Sequence, residues 1–181
     1  MRVTRYPYDV PGWGVGEIWV RDGIVIQHEL ASAELRAASA GSGEGFAISS
    51  LRPEPTSGNA SSRRRAALAS DLCRRIEAHL AGERTSYHGV AVDLEWATPL
   101  QRELAAAARA IPWGDVVSYG ELAVLAGRPG AARAAGSFCA DNRYSLIIPC
   151  HRVVAANGIG GYGVAGPALK RRLLALEGVH L

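Results

Sequence analysis

Pro149 constrains the local fold of this chain more than any other residue. It follows a short apolar run, Leu146-Ile147-Ile148, and precedes Cys150, His151 and Arg152. Because proline lacks an amide hydrogen and has a fixed φ, neither a helix nor a central strand continues through it. The apolar run is therefore predicted to end there, with the backbone turning to present Cys150 at the edge of the core.

The chemical character of Cys150 has two readings. A thiol beside an imidazole and a guanidinium is a candidate nucleophile, because nearby positive charge favours the thiolate. A buried structural cysteine is the alternative, since most free cysteines have that role. Spacing alone leaves both open.

Composition limits the classes of protein to be considered. The 181 residues, 48% of them hydrophobic, suit one ordinary domain or two small ones. The sequence lacks an apolar run long enough for a membrane span, and the start does not read as a secretory signal. Three cysteines at unrelated spacings predict a reducing, cytoplasmic setting rather than a disulfide framework. No Cys-x-x-Cys or His-x-x-x-His pair occurs, so no metal site is predicted.

Charge is distributed unevenly along the chain. Residues 1–98 carry 11 Arg against 12 Asp and Glu, whereas residues 99–181 carry nine Lys and Arg against five Asp and Glu. The basic excess of the second half is compatible with phosphate contacts but does not establish them.

The first half of the chain predicts a hairpin, a loop and a helix. Apolar runs on either side of Arg21-Asp22-Gly23 indicate a β-hairpin within residues 13–30. Residues 37–62 are rich in Ala, Ser, Gly and Pro, which is typical of a long, flexible surface insertion. Ser62 is then expected to cap a helix from Arg63 to about Leu80.

The second half predicts three helix starts in close succession. Thr98, followed by proline, is a good N-cap. Ser118 and Glu121 form a capping box for a short helix over residues 119–126. A glycine-containing turn then leads to another short helix over residues 131–139, and the pair predicts a helix-turn-helix.

The second of these short helices has an unusually smooth surface. Arg133 is its one long charged side chain among alanines, glycine and serine. Such a helix either packs inside the protein through its alanines or lies against nucleic acid and recognises shape rather than sequence.

The sequence Pro-Cys-His-Arg-Val, with Asn142 before it and the glycine-rich residues 157–163 after it, resembles the active-site signature of the 6-O-alkylguanine-DNA alkyltransferases. These are also called methylated-DNA–protein-cysteine methyltransferases. The resemblance extends from about Thr98 to Gly178, and the first half of the chain matches only loosely.

The resemblance implies an α+β fold in two domains. Residues 1–93 would form an α/β domain with a small antiparallel sheet, similar to ribonuclease H. Residues 94–181 would form a helical, winged-helix-like domain with the helix-turn-helix, for DNA binding and alkyl transfer.

The implied activity is repair of double-stranded DNA by a monomer without a cofactor or metal. The alkyl group of 6-O-alkylguanine, and of 4-O-alkylthymine, would pass irreversibly to Cys150. The nucleotide would first be flipped out through the minor groove, because a thiol cannot reach the alkyl carbon inside a duplex.

The family's catalytic residues correspond to positions of this sequence. His151 would accept the thiol proton through a water, and Glu177 would hydrogen-bond His151 and fix its tautomer. Asn142 would tie the helix-turn-helix to the active-site segment, and Tyr119 would donate to guanine N3.

The resemblance also implies a DNA-binding set and a substrate pocket. Arg133 would fill the gap that the flipped nucleotide leaves, whereas Arg152 would hold either DNA or local backbone and an acidic partner. The DNA-binding set comprises Tyr119, Ala131, Ala132, Arg133, Ser137 and Arg152. The pocket comprises Cys139, Ser145, Val153, Tyr162 and Gly163, with the Cys150 and Val153 carbonyl oxygens reading the guanine amino group.

Three other functions fit parts of the pattern. A sensor of alkylated DNA would bind without reacting, but the known sensors of this kind lack the cysteine. A transcription regulator would use the helix-turn-helix, although its second helix has few groups that can read bases. A cysteine hydrolase would combine Cys150, His151 and Glu177 and would turn over.

Overall fold

The computed structural model describes residues 3–32, 60–163 and 165–181. They belong to two compact units, Met1–Leu80 with Gly89–Asp93, and Ala81–His88 with Leu94–Leu181. The domain boundary expected between residues 93 and 94 stays a prediction, and residues 81–88 pack with the second unit. Most of the expected flexible insertion, residues 37–59, lies outside the described residues.

The first unit contains a three-stranded antiparallel sheet in the order β1-β2-β3. Its strands are β1 (Val3–Val10), β2 (Gly14–Arg21) and β3 (Ile24–Ser32). Asp22 and Gly23 both have positive φ, 50° and 84°, which suits a two-residue hairpin turn. The predicted β2–β3 hairpin is therefore confirmed. Strand β1 was not predicted, because it is an edge strand in which Pro7 weakens the strand pattern.

Helix α1 (Ala60–Leu80) packs on the sheet of the first unit. Ala69, Leu72 and Ile76 are fully buried on one face, and Cys73 lies beside them. The helix begins at Ala60, so the expectation that Ser62 is its cap, and that residues 60–62 are loop, was wrong. The alanine and serines there continue the helix, which has its apolar face to anchor it.

The second unit is mainly helical. Its elements are α2 (Pro99–Ala110), β4 (Val117–Ser118), α3 (Tyr119–Leu125), α4 (Ala132–Ala140), a 3₁₀ turn (Cys150–Arg152), β5 (Val153–Val154) and α5 (Gly166–Leu176). No helix in the described ranges has both the length and the apolar character needed to cross a bilayer.

Both predicted helix caps of the second unit are confirmed. The Thr98 hydroxyl accepts from the Gln101 amide, whose side chain bonds back to the Thr98 amide. Ser118 and Glu121 make the same reciprocal pair at the start of α3. Each cap satisfies amide groups that the first helical turn leaves without a partner. Helices α3 and α4 pack against each other, so the predicted pair of short helices is present.

Strands β4 and β5 form a parallel pair that positions the candidate site. Val117 pairs with Val153 and Ser118 with Val154. Because Tyr119 directly follows β4 and Cys150 closely precedes β5, this pairing brings the start of α3 beside the Cys150 segment.

Candidate active site

The segment before Cys150 is neither strand nor helix but a series of tight turns. Leu146 lies in the left-handed region at φ 66°, which is uncommon for a branched residue. The Ile148 amide donates to the Tyr144 carbonyl oxygen, and the Cys150 amide to that of Ile148, each at 2.8 Å. Pro149 stops the run as predicted, and Cys150 opens the 3₁₀ turn. The thiol is more enclosed than the edge position we expected, with 4% of Cys150 exposed.

Asn142 fixes the position of the thiol. Its side-chain amide nitrogen donates to the Cys150 sulfur at 3.0 Å and to the Ile148 carbonyl oxygen at 2.8 Å. Its amide oxygen accepts from the Tyr144 amide at 3.0 Å. One side chain thus holds both ends of the turn and contacts the sulfur.

Opposing influences act on the acidity of the thiol. Burial raises the pKa of Cys150, while the Asn142 hydrogen bond and the Lys170 ammonium lower it. Burial outweighs these neighbours, so the pKa of Cys150 stays above its ordinary value, and the Asn142 hydrogen bond and the Lys170 ammonium limit the increase.

His151 and Glu177 form a fully buried pair. His151 Nε2 lies 2.8 Å from Glu177 Oε1, so the expected hydrogen bond is present. Burial would raise the pKa of Glu177, but its hydrogen bonds with His151 and Arg152 outweigh burial and lower that pKa to about 2. An ionised carboxylate can only accept, so Nε2 carries the hydrogen and Nδ1 is the basic nitrogen. Burial lowers the pKa of His151, which keeps the ring neutral.

Arg152 requires a correction to the predicted DNA-binding set. Its Nε donates to Glu177 Oε2 at 2.9 Å, its Nη2 to Glu177 Oε1 at 2.9 Å, and its Nη1 to the Ile111 carbonyl oxygen at 2.8 Å. The residue is buried, with 7% exposed. A guanidinium already engaged in this way is not available to a phosphate. The alternative reading, in which Arg152 holds backbone and an acidic partner, fits these contacts.

Lys170 is a site residue that was not predicted from the sequence. It is fully buried, and its Nζ donates to the Val153 carbonyl oxygen at 2.5 Å and to that of Gly161 at 3.1 Å. Burial lowers the pKa of Lys170, and the thiols of Cys150 and Cys139 act in the opposite direction. Lys170 is followed directly by Arg171 and Arg172, which are exposed, so the sequence contains no signal that distinguishes the buried cation from its neighbours.

The two tyrosines of the predicted site lie around the thiol. Burial raises the pKa of half-buried Tyr119, and Cys139 and Cys150 add to this. Burial likewise raises the pKa of Tyr162 well above its usual value, again with a contribution from Cys150, whereas Ser145 lowers it. These effects on pKa indicate that five side chains lie close together, namely those of Tyr119, Cys139, Ser145, Cys150 and Tyr162.

The remaining pocket residues line the same region. Cys139 is buried on α4, and burial raises the pKa of its thiol far above the usual range. A β-carbon added to Gly163 would lie 3.5 Å from the Ala140 carbonyl oxygen, which places this glycine against the end of α4. The Cys150 carbonyl oxygen accepts from the Val153 amide. That carbonyl and the Val153 carbonyl, bonded to Lys170, each keep a second lone pair for a ligand.

Helix α4 has a buried face and an exposed face. Ala135, Phe138 and Cys139 are buried, whereas Arg133 and Ser137 are exposed on the other side. Ala131 and Ala132, at the start of the helix, are half-buried. The interior-helix reading therefore accounts for one face only, and the other presents Arg133 between small residues.

Together these contacts place the Cys150 thiol in a group of side chains in which His151 can accept its proton. A buried sulfur lies beside an amide donor and a lysine, and the adjacent residue is a neutral imidazole oriented by a carboxylate. This is the arrangement of an activated nucleophile with an oriented base.

Comparison with known proteins points to one family. Residues 99–179 match the sequence model described as 6-O-methylguanine DNA methyltransferase, DNA binding domain. A methylated-DNA–protein-cysteine methyltransferase of Salmonella typhimurium is 51% identical over 85 residues, which are 46% of this chain and 49% of that protein. The chain spans about half the length of the curated relatives that it matches first.

Solved structures extend the similarity to nearly the whole chain. The crystal structure of Mycobacterium tuberculosis O6-methylguanine methyltransferase is 30% identical with a TM-score of 0.68, covering 97% of this chain and 93% of that one. A structure of Mycobacterium tuberculosis OGT in complex with DNA is 28% identical with a TM-score of 0.69, covering 96% and 92%. The mixed α/β fold with a small antiparallel sheet agrees with these structures.

Proposed function

Because the chain belongs to the 6-O-methylguanine DNA methyltransferase family, we propose that it repairs DNA by transferring the alkyl group of 6-O-alkylguanine to Cys150. The carbon–sulfur bond forms as the carbon–O6 bond breaks, and guanine leaves with a proton in place of the alkyl group. The thioether is stable, so each molecule reacts once and needs no cofactor.

The observation that carries this proposal is the chain of contacts around Cys150. Asn142 donates to the sulfur, and Glu177 orients His151, the next residue along the chain. In the proposal Nδ1 of His151 takes the thiol proton through a water molecule. Tyr119 donates to guanine N3, which offsets the negative charge that develops on the leaving base.

The proposal includes flipping of the nucleotide through the minor groove. Arg133 supports this step because it is exposed on a face of α4 that otherwise presents small side chains. In this view α3 and α4 act as a helix-turn-helix in a winged-helix-like unit, and the first unit is related to ribonuclease H. The partner is double-stranded DNA, 4-O-alkylthymine is a second substrate, and the protein acts as a cytoplasmic monomer.

Intact-mass spectrometry tests the transfer step. The protein is mixed with a duplex containing 6-O-methylguanine, beside a Cys150→Ser control. We expect one methyl adduct per molecule, mapped to Cys150 and absent from the control. Lesion-selective binding without an adduct would indicate a damage sensor, and turnover beyond one equivalent would contradict suicidal transfer.

Arg133→Ala tests the flipping step separately. The variant should react with methylated duplex far more slowly than the unsubstituted protein, while its reaction with free 6-O-methylguanine changes little. Equal losses on both substrates would exclude Arg133 as the residue that fills the gap in the duplex.

A further inference from the structure

An exposed arginine of the second unit stacks on an exposed tryptophan. The guanidinium carbon of Arg143 lies 4.6 Å from the ring centroid of Trp96. Trp96 is 39% exposed, and its indole nitrogen lies 3.4 Å from the hydroxyl oxygen of buried Tyr144. Tyr144, the residue that follows Arg143, thus holds the indole ring on which Arg143 stacks. Stacking restricts the arginine side chain, so less conformational entropy is lost when it binds a ligand.

The hydrogen-bonding edge of Arg143 is unused. Within the described ranges its guanidinium makes neither a hydrogen bond nor an ion pair. Stacking occupies the face of the guanidinium and leaves the N–H groups at its edge directed outward. That edge matches two oxygens of a phosphate, which arginine binds in bidentate geometry.

Arg143 and Arg133 lie at opposite ends of α4. Arg133 is in its first turn, and Arg143 follows its last residue, Ala140, closely. A helix of nine residues is ~14 Å long. Along a DNA strand this length corresponds to roughly four nucleotides. An exposed arginine therefore lies near each end of α4.

We propose that Arg143, held on Trp96, binds a backbone phosphate of the DNA a few nucleotides from the flipped base. The inference rests on the proposed function, since it takes the duplex to lie along α4. Arg143 directly follows Asn142, whose amide contacts the Cys150 sulfur. Binding at Arg143 would therefore place a phosphate contact next in the chain to the residue that contacts the nucleophile.

The salt dependence of DNA binding tests this role. Affinity for an unmodified duplex is measured by fluorescence anisotropy at several salt concentrations for the unsubstituted protein, Arg143→Ala and Arg84→Ala. Arg84 is a matched control, because it is exposed in the same unit and has no ion pair within the described ranges. Arg143→Ala should weaken binding about five-fold and reduce the slope of log affinity against log salt by about 0.9. Arg84→Ala should leave the slope unchanged.

Substitutions of Trp96 separate stacking from charge alone. Trp96→Phe keeps an aromatic face and should retain most of the affinity, whereas Trp96→Ala should lose part of what Arg143→Ala loses. An unchanged slope in Arg143→Ala, with DNA binding and Cys150 methylation intact in the unsubstituted protein, would overturn this inference and leave the proposed function standing. Absence of DNA binding and of any methyl adduct in the unsubstituted protein would overturn both.

Discussion

The side-chain nitrogen of Asn142 lies 3.0 Å from the Cys150 sulfur, and the same nitrogen donates to the Ile148 carbonyl oxygen. The amide that closes the turn is therefore also the direct neighbour of the nucleophile. Its hydrogen bond lowers the pKa of Cys150 against the effect of burial. Local structure and thiol reactivity consequently depend on one side chain.

Asn142→Ala should slow methyl transfer at neutral pH about ten- to a hundred-fold. This factor corresponds to an activation free energy equal to that of one hydrogen bond to a charged group. Single-turnover transfer from methylated duplex measures this. Asn157→Ala is the matched control, because Asn157 is exposed in a turn after the site. Equal rates for the two variants would show that the contact with sulfur does not activate the thiol.

Glu177→Gln should remove a contribution to stability that depends on pH. The pKa of Glu177 is about 2 in the folded protein, below the ordinary value of about 4.3. The unfolded state therefore binds more protons between these values, and the contribution is present above about pH 4.3 and lost as pH falls towards 2. Urea unfolding at several pH values should show the difference between the unsubstituted protein and Glu177→Gln shrinking over this range.

The exposed Glu83 provides the control for that measurement. Glu83→Gln should follow the unsubstituted protein throughout. A constant difference between the unsubstituted protein and Glu177→Gln from pH 6 to pH 3 would mean that the buried carboxylate is not held ionised by His151 and Arg152.

Lys170→Met should shift the pH dependence of transfer rather than abolish it. The ammonium lowers the pKa of Cys150, so its removal raises that pKa further. Transfer should be slow at pH 7.5 and recover as pH rises towards 9.5, because more thiolate then forms. Rates measured across this range should be close to normal for Lys170→Arg, which keeps the charge, and for Arg171→Met, which changes an exposed neighbour. A loss of the same size at every pH would indicate that Lys170 serves only to bond the Val153 and Gly161 carbonyl oxygens.

The parts of this structure that were predictable from sequence are those determined locally. Thr98 and Ser118 start helices because each bonds to an amide only one turn away. Pro149 ends the apolar run because its own ring fixes φ and removes the amide hydrogen. The segment around Cys150 could likewise be identified, because its distinctive residues are consecutive.

The features that the sequence did not reveal depend on residues far apart in the chain. Val117 pairs with Val153 in two strands too short to produce a pattern. Lys170 is buried because the carbonyl oxygens of Val153 and Gly161 accept its hydrogen bonds. Arg152 turns inward because Glu177 lies opposite it. None of these relationships follows from helical or strand periodicity.

Gly160→Ala should disturb the site by displacing Tyr119. Gly160 has φ 71°, and an added β-carbon would lie 3.0 Å from the Tyr119 hydroxyl oxygen and 3.2 Å from the Ala155 amide nitrogen. Both the backbone conformation and the crowding oppose a side chain, so we expect a loss of about 1–3 kcal/mol in the free energy of unfolding. Transfer should also slow, because Tyr119 can no longer hold its position beside the Cys150 segment.

Substitutions of two neighbouring glycines distinguish backbone strain from steric crowding of Tyr119. Gly158 has φ 149° with nothing within 4 Å of an added β-carbon, so Gly158→Ala should lower stability but spare the transfer rate. Gly161 has open space and no positive φ, so Gly161→Ala should change neither. Chemical denaturation and single-turnover rates for the three variants give the comparison. If Gly158→Ala slowed transfer as much as Gly160→Ala, the effect would come from the glycine-rich backbone and not from the displaced tyrosine.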